Sequence, residues 1–108
     1  MLGLGTIKRT AAGILPRSWL VTRFKVGARA VVLTFDDGPH PEFTPKTLEV
    51  LARYGVKATF FFIGENVERH PALARRVVDE GHCLGNHSYF HRDFARLPLA
   101  QQLREIDR

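Results

Sequence analysis

Residues 30–39 read Ala-Val-Val-Leu-Thr-Phe-Asp-Asp-Gly-Pro, an apolar, β-branched run that stops at two carboxylates and a Gly-Pro pair. A short, continuous apolar run of this kind is typical of a strand covered on both faces, as in a parallel sheet. A second such run spans residues 58–63, and residues 82–86 fit a third, shorter strand. The sequence therefore predicts two buried strands, the first at residues 30–35, and a third, short strand.

Helical patterns follow each predicted strand. The first runs between Thr44, a good N-cap, and Gly55, which ends it; the second runs from Pro71 to Gly81; the third starts at about Pro98. This alternation of strands and helices indicates βαβ units, so we predict an α/β fold with a parallel sheet. The carboxyl ends of parallel strands gather chemistry in such folds, and the candidate functional residues lie there.

The third helical pattern is carried by Leu99, Leu103 and Ile106, which sit at i, i+4 and i+7. The sequence ends inside this pattern without a glycine or another C-cap signal, so we expect a truncated domain. One cysteine, Cys83, cannot form an internal disulfide, and we predict that it is a small buried hydrophobic residue.

The composition is that of an ordinary globular domain, with 25% charged and 44% hydrophobic residues. The net charge of +5 comes from residues 1–30, which contain six basic and no acidic side chains. We therefore predict a basic N-terminal extension at residues 1–29 and a domain at residues 30–108. The extension would make at most weak contact with an anionic surface, and the nearly neutral domain does not favour nucleic acid as a partner.

No segment has the pattern of a signal peptide or the length of a membrane span. The longest apolar run, residues 58–63, is far below the roughly 20 residues that cross a bilayer. A cytoplasmic location is the default expectation, and an extracytoplasmic one stays open.

Asp36 and Asp37 are costly neighbours, because adjacent like charges repel unless a cation or a shared proton separates them. Consecutive side chains of a strand point to opposite faces, so both can reach one site only if the backbone turns there. We expect Gly38 and Pro39 to supply that turn. Simple capping of the turn or of the next helix is an equally good interpretation of the pair alone.

His87 and His91 have the i, i+4 spacing by which two imidazoles on one helical turn hold a metal ion. Such a pair is weak evidence by itself. A carboxylate from the end of the first strand would complete a set of two histidines and one acid, leaving coordination positions open for water and substrate.

These residues resemble the first two signature motifs of the polysaccharide deacetylases, which include chitin, chitooligosaccharide and peptidoglycan N-deacetylases. The first motif is the Thr-Phe-Asp-Asp-Gly-Pro of residues 34–39, and the second is the His-Ser-x-x-His of residues 87–91. They lie about fifty residues apart in the family's order, with family-like sequence at residues 58–62 and 81–87. The resemblance covers roughly residues 30–108.

The resemblance implies that Asp36 is the general base and that Asp37, His87 and His91 bind a divalent metal, usually zinc and sometimes cobalt. It implies hydrolysis of acetamide groups on an amino-sugar polymer or oligomer. It also implies the first three βα units of a distorted (β/α) barrel. Later family motifs, which supply an arginine partner for the base, an aromatic wall and a histidine acid, are not found within the 108 residues.

Other polar residues near these motifs have two interpretations each. Asp93 follows His91 closely and is a candidate to orient an imidazole from outside the ligand set, although helix capping is the alternative. His40 and His70 are interpreted as a loop residue and a helix-start residue, and His82 as structural.

Three functional alternatives stay open beside a carbohydrate N-deacetylase. The chain is otherwise a catalytically incomplete relic or binding module, or a deacylase that acts on other acetyl amides or esters. Non-haem iron oxygenases also use two histidines and one carboxylate, but their fold and His-x-Asp pair differ from this pattern.

Overall fold

The computed structural model describes residues 29–107 of the chain. The predicted basic extension at residues 1–29 lies outside the described residues, except for Arg29. The elements follow one another in the order β1 (Thr34–Gly38), α1 (Phe43–Tyr54), β2 (Thr59–Phe62), α2 (Gly64–Arg69), α3 (Pro71–Asp79), β3 (Cys83–Asn86), a 3-10 turn (Phe94–Arg96) and α4 (Leu99–Asp107).

The three strands form one parallel sheet in the order β1-β2-β3. This confirms the α/β prediction and its parallel strands. At the carboxyl ends of the strands, Gly38 pairs with Phe62, and Phe62 pairs with Asn86. Backbone bonds continue past this row, because Ile63 N donates to Gly38 O at 2.9 Å and His87 N donates to Phe62 O at 3.1 Å. The residues that follow β1 and β3 are therefore brought to one edge of the sheet.

The first strand begins later than predicted. Residues 30–33 precede β1, and the ladder starts where Leu33 O accepts the N–H of Thr59 at 3.0 Å. Val31 and Val32 are 86% and 66% exposed. The burial predicted for this part of the apolar run is wrong.

The core lies on one face of the sheet, where α1 and α3 cover β2. Phe60 and Phe62 point to this face, and Phe35 stacks on Phe60 with ring centroids 5.1 Å apart. The helices contribute small and branched side chains. The buried cluster consists of Leu48, Leu51, Ala58, Phe60, Phe62, Ala74 and Val77. Burial of this apolar surface is the main favourable term holding α1 and α3 against the sheet.

Within residues 29–107 the opposite face of the sheet is only partly covered, which differs from the expectation of strands covered on both faces. Phe61 lies on this face and is only partly buried, and its ring covers Gly85 of β3, where an added Cβ would meet the ring carbon at 2.4 Å. Cys83 is exposed because β3 is an edge strand of the described sheet, and its predicted burial is wrong.

Helix α1 begins at Phe43, whereas an N-cap at Thr44 predicted a start at Pro45. The side chain of His40 caps the helix from further upstream. His40 Nδ1 accepts the N–H groups of Glu42 and Phe43 at 3.2 and 3.3 Å, and Thr44 Oγ1 accepts the N–H of His40 at 2.9 Å. The predicted end is confirmed, since Gly55 has φ 62° and its N–H closes the helix on Ala52 O.

The remaining helices differ from prediction in two respects. Helix α2 was not predicted, because its six residues contain one aliphatic side chain, Val67, and no apolar period. Helix α4 begins at Leu99 as expected, yet the stripe of Leu99, Leu103 and Ile106 is 50–69% exposed. The buried residue of this helix is Glu105. None of the helices within residues 29–107 is long and apolar enough to cross a membrane.

His82 joins β2 to the start of β3 from inside the protein. It is 7% exposed, its ring meets Phe60 edge-on, and its Nδ1 accepts the N–H of Ala58 at 3.2 Å. Burial lowers the pKa of His82, the charge of Lys57 lowers it further, and Glu80 opposes the shift. The neutral imidazole is therefore favoured, and its Nδ1 lone pair is directed at a backbone donor. The structural interpretation of His82 agrees with this geometry.

We expect the protein to lose stability on acidification partly through His82. Because its folded pKa lies below the ordinary value of 6.5, the unfolded chain binds the proton more readily. The contribution of neutral His82 to the free energy of unfolding is complete above pH 6.5. It is lost as the pH falls through the lowered pKa of the folded state. In His82→Asn, Asn Oδ1 can accept the same N–H but does not titrate. Urea denaturation between pH 8 and 5 should show that the free energy of unfolding declines less steeply in this variant. The difference between variant and wild type at pH 8 measures the effect of the replacement itself. Parallel declines would contradict the assignment.

Candidate metal and catalytic site

Asp37 leaves the regular alternation of β1 through a bulge. Asp36 pairs with Phe61 and Gly38 pairs with Phe62, so Asp37 is an extra residue without a partner position in β2. Its φ is 70°, a left-handed conformation that aspartate tolerates better than most residues. The turn that the sequence assigned to Gly38 and Pro39 thus occurs one residue earlier, at Asp37 itself.

Asn66, in the first turn of α2, holds this bulge in place. Its Nδ2 donates to the carbonyl oxygen of Asp37 at 3.1 Å. Left-handed backbone at a non-glycine residue costs about 1–2 kcal/mol, so it persists where neighbouring bonds fix it. Asn66 and the sheet bond to Gly38 O supply those bonds on consecutive carbonyls. The unpredicted helix α2 is therefore part of the site.

The two histidines lie in an irregular loop, so the predicted helical turn is wrong. His87 follows β3 directly, and positive φ values at Ser88 (63°) and His91 (55°) fold the loop back. Ser88 N donates to Asn86 Oδ1 at 2.7 Å, and His91 N donates to Ser88 Oγ at 3.1 Å. This folding brings the two imidazole centroids to 4.9 Å from each other.

The bulge and the loop meet at one carboxylate oxygen. Asp37 Oδ1 lies 3.1 Å from His87 Nε2 and 3.3 Å from His91 Nε2. The three ligand atoms all lie within 4.8 Å of one another. The Asp37 and His91 side chains are 65% and 54% exposed, so this cluster opens to the solvent.

This donor set fits a divalent cation such as zinc. Zinc bonds of about 2.0–2.1 Å to nitrogen and oxygen in a tetrahedron place neighbouring ligand atoms about 3.3 Å apart. The two distances to Asp37 Oδ1 agree with that spacing. Three protein ligands are also the number that catalytic zinc sites use, whereas structural sites use four.

Asp36 lies beside the cluster on the exposed end of β1. Because it is in register with Phe61, its side chain shares the open face of the sheet with Phe61, whose ring lies 6.5 Å from that of His87. The metal cluster itself consists of Asp37, His87 and His91, without Asp36. The role of Asp36 as the base stays a prediction.

The other candidates lie outside the cluster. Asp93 accepts the N–H of Ala95 at 3.1 Å and pairs with Arg96 at 3.3 Å, so the capping alternative is the one that the structure shows. The predicted contact of Asp93 with an imidazole is not formed among the described residues. His40 caps α1, and His70 lies at the junction of α2 and α3.

Comparison with known proteins agrees with the geometry. Residues 24–108 match the family model described as polysaccharide deacetylase. The chain belongs to the polysaccharide deacetylase family. A peptidoglycan-N-acetylglucosamine deacetylase of Bacillus cereus is 54% identical over 67 residues, which are 62% of this chain and 24% of that relative.

Two further polysaccharide deacetylase relatives cover more of the chain. A chitooligosaccharide deacetylase of Sinorhizobium fredii is 46% identical over 91 residues, covering 82% of this chain and 42% of the relative. The structure of a family 4 carbohydrate esterase from Streptomyces lividans in complex with acetate superposes with a TM-score of 0.68 and 42% identity, covering 70% of this chain and 39% of that one. The chain thus spans less than half the length of these relatives.

Asn66 is a residue that the sequence did not single out, and its replacement tests its role at the bulge. We expect Asn66→Ala to weaken zinc binding about tenfold, the lower end for partners of metal ligands, because the Asp37 carbonyl loses its donor. Titration against a chromophoric chelator measures this. Arg69→Ala, which breaks only the exposed pair with Glu65 in the same helix, is the matched control. Equal zinc affinities in both variants would contradict the role.

Proposed function

We propose that this chain carries the base and the metal ligands of a metal-dependent hydrolase that removes N-acetyl groups from GlcNAc-containing polysaccharides or oligosaccharides. The observation that carries the proposal is the convergence of Asp37, His87 and His91, from two strand ends, within 4.8 Å. The names of the relatives supply the substrate class, since they are peptidoglycan and chitooligosaccharide deacetylases. In this proposal residues 30–108 form the first three βα units of a larger, barrel-like deacetylase domain.

The three ligand residues differ in charge. Asp37 brings one negative charge, and His87 and His91 each offer a neutral Nε2 lone pair, so a divalent cation keeps a net positive charge in the site. Asp37, His87 and His91 would hold such a cation, zinc or alternatively cobalt, and it would supply Lewis-acid chemistry to the hydrolysis of an acetamide. The exposure of Asp37 and His91 leaves these ligands accessible to a substrate from the solvent.

Asp36 takes the proton in this proposal. A water molecule adds to the acetamide carbonyl carbon while its proton passes to the Asp36 carboxylate, which is the act of a general base. The C–N bond then breaks, the amine nitrogen receives a proton, and acetate and a free amino sugar are released. In the family resemblance, a later histidine supplies that second proton.

Two variants separate the base from the ligands. We expect Asp36→Asn to retain zinc and to lower the rate of acetate release by about 10²–10⁴-fold, the usual contribution of a general base. Asp37→Ala should lose zinc and activity together, because it removes the charged ligand. Asp93→Asn, in the neighbouring cap, is the control and should keep both. Acetate is measured enzymatically after incubation of the complete gene product with N-acetylchitooligosaccharide or peptidoglycan, with and without chelator.

The same assay tests the alternatives. The Streptomyces lividans relative is named as a carbohydrate esterase, so an ester substrate is included in the assay. Acetate release from acetylated xylan, and not from the N-acetylated substrates, would indicate an esterase instead of an N-deacetylase. Zinc binding without acetate release from any substrate would favour a relic or binding module. We expect the 108-residue chain by itself to bind metal weakly and to turn over little. Robust turnover by that chain alone would contradict this expectation.

A further inference from the structure

Glu105 is a buried carboxylate on a helix whose apolar stripe is exposed. Its side chain is 5% exposed, whereas Leu103 and Ile106 on the same helix are about half exposed. Burial of a carboxylate is unfavourable unless hydrogen bonds and opposite charges replace its water. The contacts of Glu105 therefore indicate what it does in the fold.

Those contacts fall on both sides of His91. Glu105 Oε2 accepts the N–H of Phe90 at 2.7 Å, and Glu105 Oε1 lies 3.7 Å from Arg92 Nε. The short bond to a charged acceptor is the stronger of the two. One buried side chain thus fixes the residue before His91 by its backbone and the residue after His91 by its charge.

The segment held by Glu105 contains a backbone conformation that residues with a side chain disfavour. His91 has φ 55°, in the left-handed region that disfavours residues with a side chain. The neighbouring carbonyls are also held, because Gly64 N and Glu65 N in the first turn of α2 donate to Ser88 O and Tyr89 O, each at 3.0 Å. Glu105 adds a further hydrogen bond to this loop from α4. Asn86 Nδ2 holds the same helix by donating to Ile106 O at 3.0 Å.

We propose that Glu105 is a positioning residue for the metal site: it fixes the backbone at Phe90 so that His91 Nε2 stays beside Asp37 Oδ1. The inference rests on the proposed function, since it takes Asp37, His87 and His91 as the ligands. Among the described residues, the hydrogen bond and ion pair of Glu105 go to Phe90 and Arg92 and not to Asp37, His87 or His91. Its effect passes through the loop alone.

Three replacements of Glu105 test the inference in the complete protein. Glu105→Leu fills the space without an acceptor and is expected to weaken zinc binding about 10–100-fold, the range for partners of metal ligands. Glu105→Asp draws the carboxylate back by one methylene, and its zinc affinity should fall several-fold. Glu105→Gln keeps an oxygen that can accept the Phe90 N–H, so it should restore most of the affinity. Zinc affinity is measured by chelator competition on samples whose circular dichroism shows the folded state.

Val77→Ala is the matched control, because it removes buried volume from α3 on the opposite face of the sheet. It lowers stability without touching the histidine loop and should leave zinc affinity unchanged. Cobalt absorption adds a second readout: the visible bands should shift in Glu105→Leu and Glu105→Asp but keep their wild-type form in Val77→Ala. If Glu105→Leu does not fold, Glu105→Asp decides.

The outcomes separate this inference from the proposed function. Wild-type zinc affinity and cobalt bands in a folded Leu or Asp variant would overturn the positioning role while leaving the deacetylase proposal intact. Equal loss of zinc affinity in Val77→Ala would overturn it as well, because the effect would then follow stability alone. Failure of the unaltered protein to bind zinc or cobalt would overturn both.

Discussion

Asp37 occupies an extra position in β1, and its left-handed backbone turns its carboxylate toward a loop that begins fifty residues later. Without this bulge, alternation along the strand would direct Asp37 to the face that Phe35 shares with the helical core. The bulge therefore decides that two consecutive aspartates serve the same edge of the sheet. Asn66 holds the bulge by one bond, and β2 lies between it and the histidine loop, keeping the two strand ends in register.

The site contains little of the core that stabilises it. Phe60, Phe62 and the facing side chains of α1 and α3 pack on one face, and the ligands lie at the rim of the other. What holds the ligands is a set of hydrogen bonds from α2 and α4 to loop backbone. This division separates the apolar burial that stabilises the fold from the polar contacts that shape the site.

The sequence predicted the parts of the structure that depend on local pattern. The parallel strands followed from two apolar runs, and the meeting of Asp37 with His87 and His91 followed from strand ends that share one edge. The misses depend on tertiary context. Val31 was expected to be buried as part of an apolar run, but it precedes β1 and is exposed. Cys83 was expected to be buried as a small hydrophobic residue, but it lies on β3, an edge strand of the described sheet. The helical turn at His87–His91 was inferred from spacing, which an irregular loop satisfies equally well.

Gly85 shows how closely the packing of β3 constrains the chemistry at its end. The ring of Phe61 lies where a side chain at position 85 would be, and the same ring faces His87. Any larger residue at 85 would displace the ring toward the imidazole or force the two strands apart. Replacement of Gly85 is therefore limited by the nearby His87. Sequence variation on this part of the sheet should accordingly be found at Cys83, whose side chain is exposed.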